Sequence, residues 1–388
     1  MANPFDDLDV GALRRRRTMK WTRFGPDVLA AWVAEMDVRT AEPISDALRE
    51  AIRRQDFGYP PPDQLSGLPA ACAEFLSTAY GWQVQPGDVR LVSDVLRGVA
   101  AAIHAFSPPG SAVILPTPAY PPFFAVIRQC GRPVIEVPMG YRDGRRTIDL
   151  DAVAAALGRG AATVLLCNPH NPTGHVADRD ELVALAETVE RGGGRVIADE
   201  VHAPLTYPPT RHIPYPTVSA AAAAHAVTVT SASKGWNIPG LKCAQVVLSS
   251  PADAERWDRL TLAEIGPAAP LGIAANIAAY TAGGPWLAHV LDHLDGNRVL
   301  LADLLAAHLP GIGYRIPDGT YLAWLDCRRL GVADPAAFFL EHAGVAVNPG
   351  AGFGTGYDTF VRLNFATTRP LLTEIIERMG RAAGAPAG

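Results

Sequence analysis

Short, nearly continuous apolar runs recur through the middle of the chain: Arg90–Val92, Ala112–Leu115, Thr163–Cys167, Val196–Ala198, Val227–Val229 and Gln245–Leu248. Stretches with helical spacing of apolar positions lie between most of them, such as Arg97–Ala105 and Asp180–Arg191. That alternation predicts a mostly parallel sheet with helices on both faces. The last two runs have no clear helix between them, which predicts an antiparallel edge. In sheets of this kind, ligands sit in the loops that follow the carboxyl ends of the strands.

Past the sixth run the texture changes. Gly266–Ala288 is uncharged but interrupted by Pro267, Pro270 and Pro285, and reads as a buried, small-residue helix bounded by loops. A bilayer-spanning helix wants about 20 strongly apolar residues, so no membrane span is expected here. From Pro285 onward the pattern gives a long helix (Trp286–His308), strands near Tyr314–Ile316 and Tyr321–Asp326, a helix over Pro335–His342 and a strand over Phe360–Phe365. The expected organisation is a large, mostly parallel-sheet α/β domain over residues 51–284 and a smaller α+β domain over 285–388. Residues 1–50 form an N-terminal segment packing with the small domain.

Composition narrows the class. With 388 residues, 48% hydrophobic and 19% charged, the chain is globular rather than disordered. A net charge of -5 argues against a nucleic-acid partner, and the run Arg14–Arg17 reads as a solvated turn or structural ion pairs. Five cysteines, odd in number and without a CxxC pair, argue against both a disulfide framework and a metal site. A reducing, cytoplasmic compartment follows, and the acidic N-terminus has no signal-peptide core.

Three loops carry candidate chemistry. Asn168-Pro169-His170-Asn171-Pro172-Thr173-Gly174 follows a strand, and its prolines fix the direction of Asn171, unless the loop is only a stiff turn. Asp199, in Ala198-Asp199-Glu200-Val201-His202, comes straight off an apolar strand. An unpaired carboxylate there is costly, so it needs a cation or strong donors, or it caps a helix. Lys234 follows a third strand within Ser231-Ala232-Ser233-Lys234-Gly235-Trp236-Asn237, with Lys242 eight residues on. A lysine among small polar residues after a buried strand suits a lowered pKa and a Schiff base, and an ordinary surface lysine is the alternative. Gly350–Gly356 fails the spacing of a dinucleotide loop and reads instead as a mobile loop over the active site.

Taken together, Asn171, Asp199 and Lys234, with Arg362 in Val361-Arg362-Leu363-Asn364-Phe365, resemble the fold type I pyridoxal-phosphate enzymes. The resemblance runs from about Trp32 to Arg369. Trp32-Val33-Ala34-Glu35-Met36-Asp37 and the Lys234 loop are most similar to the cystathionine β-lyase-like (MalY/PatB-type) C–S lyases, neighbours of the class I/II aminotransferases.

The resemblance implies the type I transferase fold and pyridoxal 5'-phosphate as cofactor. Lys234 would hold the cofactor and remove the substrate's α-proton, Asp199 would face the pyridine nitrogen, and Asn171 and His202 would address the ring's 3′ oxygen. Tyr120 would stack on the ring. Ser231, Ser233 and Lys242 would grip the phosphate, helped by the backbone at Val95 and Leu96 at a helix start. Arg362 would bind the substrate carboxylate. Tyr59, in Phe57-Gly58-Tyr59-Pro60, would reach into the active site of the second subunit of a homodimer. The implied reaction is β-elimination from L-cystathionine or related cysteine S-conjugates to pyruvate, ammonia and a thiol. The alternative is transamination between an L-amino acid and a 2-oxo acid.

Overall fold

The apolar runs are strands. Val89–Val92 (β1), Val113–Thr117 (β2), Val134–Pro138 (β3), Thr163–Cys167 (β4), Arg195–Asp199 (β5), Ala226–Thr230 (β6) and Ala244–Leu248 (β7) form one seven-stranded sheet in the order β1-β7-β6-β5-β4-β2-β3. These come from a computed structural model that describes Phe5, residues 7–142 and residues 144–384. Parts of the N-terminal segment (residues 1–4 and 6) and the last four residues lie outside the described residues.

Pairing is parallel from β3 through β2, β4 and β5 to β6. β7 runs antiparallel to both of its neighbours, β6 and β1. The antiparallel strand is therefore not the edge that the sequence suggests, because β1 covers it. β3 escapes the apolar-run criterion for a physical reason. As the last strand of the sheet it is only half-buried, so its sequence is less uniformly apolar.

The central strands are covered on both faces. Alternate residues of one strand enter different cores: Leu165 and Ile197 pack with Val99, Ile103 and Phe123. Val164 and Val196 pack with Val153, Leu182 and Leu185 on the other face. Each such side chain contributes about 1.5–3 kcal/mol on burial, which is why these runs are apolar throughout. The helix Val95–Phe106 lies close on the sheet because position 98 is glycine. A Cβ there would stand 2.8 Å from Val229 Cγ1. Asp94 caps this helix, accepting from the Arg97 N–H at 2.9 Å.

The chain divides into two compact units. One comprises Thr40–Pro169 and His175–Leu287 and contains the seven-stranded sheet. The other comprises Met1–Arg39, His170–Gly174 and Ala288–Gly388. Its four-stranded sheet runs Gly313–Tyr314, Leu322–Asp326, Phe360–Asn364, Asn348–Pro349, all antiparallel. Leu29–Ala30 pairs in parallel with Val345–Ala346, tying the N-terminal segment to this unit. The helix expected over Pro335–His342 is α-helical only for Pro335–Phe338 and continues as a π-helical turn, Phe339–Ala343. The Gly350–Gly356 stretch has a packed core: Phe353 is buried, and Gly350 lies against the backbone of Tyr357 and Phe360. Among the described residues, no helix is long and apolar enough to cross a membrane.

Candidate active site

Asp199 is the last residue of β5 and pairs across to Cys167 and Val229. Its side chain is buried, and Oδ1 accepts from the Val201 N–H at 3.0 Å. Burial pushes its carboxyl up to about 7, against the pull of the Val201 N–H and of Lys234, while Glu200 beside it adds to the rise. Burial works against the ionised form there, and a positive charge close by favours it.

Lys234 stands in the single turn Ala232–Gly235 after β6. Gly235 packs against Pro204 of the turn that follows Asp199; a Cβ at 235 would lie 3.1 Å from Pro204 Cβ. Buried Asn276 accepts from the Ala232 N–H at 3.1 Å and so caps the lysine's turn. Trp236 anchors its other side, donating from Nε1 to Gly283 O at 3.0 Å.

The residues expected around a phosphate lie at the same sheet's strand ends. Val95 and Leu96 begin the 12-residue helix, and N–H groups at the first two helical positions have no intrahelical acceptor. Lys242 has left-handed backbone, φ 49°, and its Nζ pairs with Asp94 Oδ2 at 2.9 Å. Ser231 is buried; its hydroxyl donates to Cys243 O at 2.7 Å and accepts from the Ser233 N–H at 3.0 Å. Its one proton is therefore spent inside the protein, whereas Ser233 and Lys242 are more exposed. Tyr120 precedes the helix Pro121–Gln129, with its ring edge-on to Phe123 at 5.5 Å. His202 is buried in the turn after Asp199, where its carbonyl accepts from Leu205 N. Tyr59 is 99% exposed.

In the other unit, Arg362 and Asn171 are brought together. Arg362 Nη1 donates to Asn171 Oδ1 at 3.0 Å. Nη2 donates to Asn348 Oδ1 at 2.7 Å and to Trp32 O at 3.1 Å, and the guanidinium lies over the Phe353 ring. The Trp32–Asp37 signature now has a physical reading: its carbonyls are a row of acceptors. Asn364 Nδ2 donates to Val33 O and Glu35 O, and the Tyr321 hydroxyl donates to Ala34 O. The segment is braced from beneath by a buried ion pair, Lys20 Nζ to Asp37 Oδ2 at 2.7 Å, and Lys20 also donates to Glu35 O. Asn348, Asn276 and Lys20 carry no local signal in the sequence, because each acts on a residue far along the chain.

The family model for aminotransferase class I and II matches residues 32–379. A cystathionine beta-lyase of Corynebacterium glutamicum is 40% identical over 374 residues, covering 96% of this chain and 98% of its own. The cystathionine beta-lyase PatB of Bacillus subtilis is 31% identical, with 94% and 96% covered. The crystal structure of cystalysin from Treponema denticola, which contains pyridoxal 5'-phosphate, superposes with a TM-score of 0.91 at 27% identity, over 98% of this chain and 99% of that one. A family model that spans most of the chain and relatives matched over nearly their whole length place it together: the chain belongs to the aminotransferase class I and II family.

Proposed function

We propose that this chain is a pyridoxal-phosphate-dependent C–S β-lyase that cleaves L-cystathionine or related cysteine S-conjugates to pyruvate, ammonia and a thiol. The observation that carries the reading is Asp199, a carboxyl buried at a strand end within the field of Lys234 and raised by burial to about 7. A protonated ring nitrogen is the partner that such a group fits, and the amide groups at Val95 and Leu96 with Ser233 and Lys242 fit a phosphate. Relatives named as cystathionine beta-lyases over nearly their whole length favour the lyase outcome over transamination.

Bound pyridoxal phosphate supplies an electron sink for the pair left on the substrate's Cα. Lys234 Nζ would hold the cofactor's carbonyl carbon and, once released, take the proton from Cα. Asp199 would keep the ring nitrogen protonated, Tyr120 would cover a ring face, and Asn171 and His202 would address the ring oxygen. Arg362, held on three sides by acceptors, would present its fork to the substrate carboxylate.

The working unit we infer is a homodimer with shared sites. Tyr59 and Leu65, both largely exposed, line with Ile273 a hollow of about 360 Å³. A second copy of the chain would cover that patch. All five cysteines are free and buried, which supports the reading of a reducing, cytoplasmic compartment.

The test is to incubate the purified holoprotein with L-cystathionine and assay pyruvate, ammonia and free thiol. Equal, multiple-turnover release of all three is expected. Conversion to a pyridoxamine-type spectrum that an added 2-oxo acid reverses, without thiol release, would establish transamination instead.

A further inference from the structure

The helix Val95–Phe106 offers an anion the N–H groups of Val95 and Leu96, yet its own cap, Asp94, is a carboxylate. Two bonds fix Asp94 to the helix: Oδ1 accepts from the Arg97 N–H at 2.9 Å, and the carbonyl accepts from the Gly98 N–H at 3.0 Å. Oδ2 takes the ammonium of Lys242 at 2.9 Å. Lys242 is held from its own side as well. It follows the turn Pro239–Leu241 with left-handed backbone, and its carbonyl accepts from the Ala269 N–H at 3.0 Å. Burial works against the charge on Asp94, but the Arg97 N–H, then Lys242, then the charge of Arg97, hold its carboxyl below the usual value. The two side chains are 35% and 60% exposed, so a solute can reach both. The reading above gives Lys242 to a phosphate, and Asp94 already supplies Lys242 with an anion.

We propose that Asp94 is a counter-ion that competes with phosphate for Lys242, and so sets how tightly this end of the sheet holds a phosphate monoester. The proposal rests on the reading of Lys242 as a phosphate residue. A phosphate that approaches Val95 and Leu96 meets a fixed negative charge at the cap of the same helix, and the cation it needs is already paired. Both effects are electrostatic and weaken with salt. They fall on bare phosphate and on the cofactor's phosphate alike. The cofactor has further attachments, at Lys234 and Asp199, to offset them, and bare phosphate has none. Asp94 thus keeps the bare anion weakly bound while the cofactor still binds. Its charge is separable from its capping role, because asparagine and serine cap a helix as well as aspartate does.

The experiment titrates cofactor-free, full-length protein with pyridoxal phosphate, followed by the visible absorption band. A second titration uses inorganic phosphate, followed by the rise in melting temperature over the same protein without it. The variants are Asp94→Asn, Asp94→Ser, Asp94→Glu and Lys242→Gln. Asp94→Asn and Asp94→Ser are expected to bind both ligands about tenfold tighter than the parent at low salt. The gain should shrink below about threefold in about 1 M salt, where the screening length is about 3 Å. Asp94→Glu keeps the charge and should show no gain. Unchanged or weaker binding in Asp94→Asn, a gain that salt leaves intact, or the same gain in Asp94→Glu would overturn the proposal. If Asp94→Asn does not fold, Asp94→Ser decides by the same criteria. Lys242→Gln separates the two failures. If it leaves both affinities unchanged, the reading of Lys242 fails; if it weakens both while Asp94→Asn tightens neither, only the competition by Asp94 fails.

Discussion

A carboxyl raised to about 7 has a consequence for the protein without its cofactor. In the unfolded chain Asp199 titrates near ~3.9. Below that pH it is protonated in both states and costs nothing. As pH rises toward 7 the folded state must either keep its proton or bury a charge, and stability falls by an amount on the order of a few kcal/mol. The cofactor-free Asp199→Asn protein should therefore melt higher than the cofactor-free parent at pH 8, with the gap shrinking toward pH 5. A gap that does not change with pH would show that Asp199 is not raised. Lys20 makes a second prediction at this scale. Lys20→Met leaves Asp37 buried with one donor, Trp21 Nε1, and should cost about 3–5 kcal/mol of stability. If the braced carbonyl row aims Arg362, KM for the amino acid should rise more than kcat falls; an equal effect on both, or none, would limit Lys20 to stability. Asp199 ends an apolar strand, and Asn171 and Lys234 lie in the loops that follow two others, which is what draws a sequence reading to them. Asn276 and Asn348 draw none, since a buried polar side chain looks no different in sequence from an exposed one. Val95 and Leu96 offer main-chain N–H groups, which side-chain chemistry does not advertise.

Among the elements, legibility followed burial. β4, β6 and β7 are buried at every position and stand out as apolar runs, whereas half-buried β3 and the partly exposed pair Gly140–Arg142 and Arg145–Thr147 do not. The short strand Asn348–Pro349 holds two residues, one of them proline, too few for any periodicity. The helix Val95–Phe106 tests how its start is positioned. Gly98→Ala would place a methyl group within 3.3 Å of side-chain atoms of Val229, Val246 and Val92, which belong to three strands. The helix must lift, costing about 1–3 kcal/mol by the usual penalty of overpacking. Because the same helix presents Val95 and Leu96, phosphate grip should loosen with it. A lower melting temperature with weaker pyridoxal phosphate binding is expected; a variant that loses stability and keeps parental cofactor affinity would detach the helix start from the phosphate.

At the level of the whole molecule, the two units explain why residue ranges read from texture are blurred. Residues 170–174 lie deep within the segment that otherwise builds the seven-stranded sheet, yet they belong with residues 288–388. Gly319 N donates to Gly174 O at 2.9 Å, a long-range contact that no local pattern reveals. The exposed patch around Tyr59 gives the assembly prediction. The parent should sediment as a dimer, and Leu65→Asp, at a position 78% exposed, should shift it toward monomer with loss of lyase activity. A fully active monomer would remove the shared-site reading.

With sites shared as proposed, the near-total exposure of Tyr59 would make the contributions of two copies genetically separable. A side chain so exposed can be truncated with little harm to its own subunit's Lys234, and truncating Lys234 should spare Tyr59 in the same way. Two inactive proteins, Tyr59→Ala and Lys234→Ala, should therefore complement each other when their subunits are exchanged. Each mixed pair would contain one site with both lesions and one site with neither. Random reassortment of equal amounts should recover about a quarter of the parental turnover from nothing.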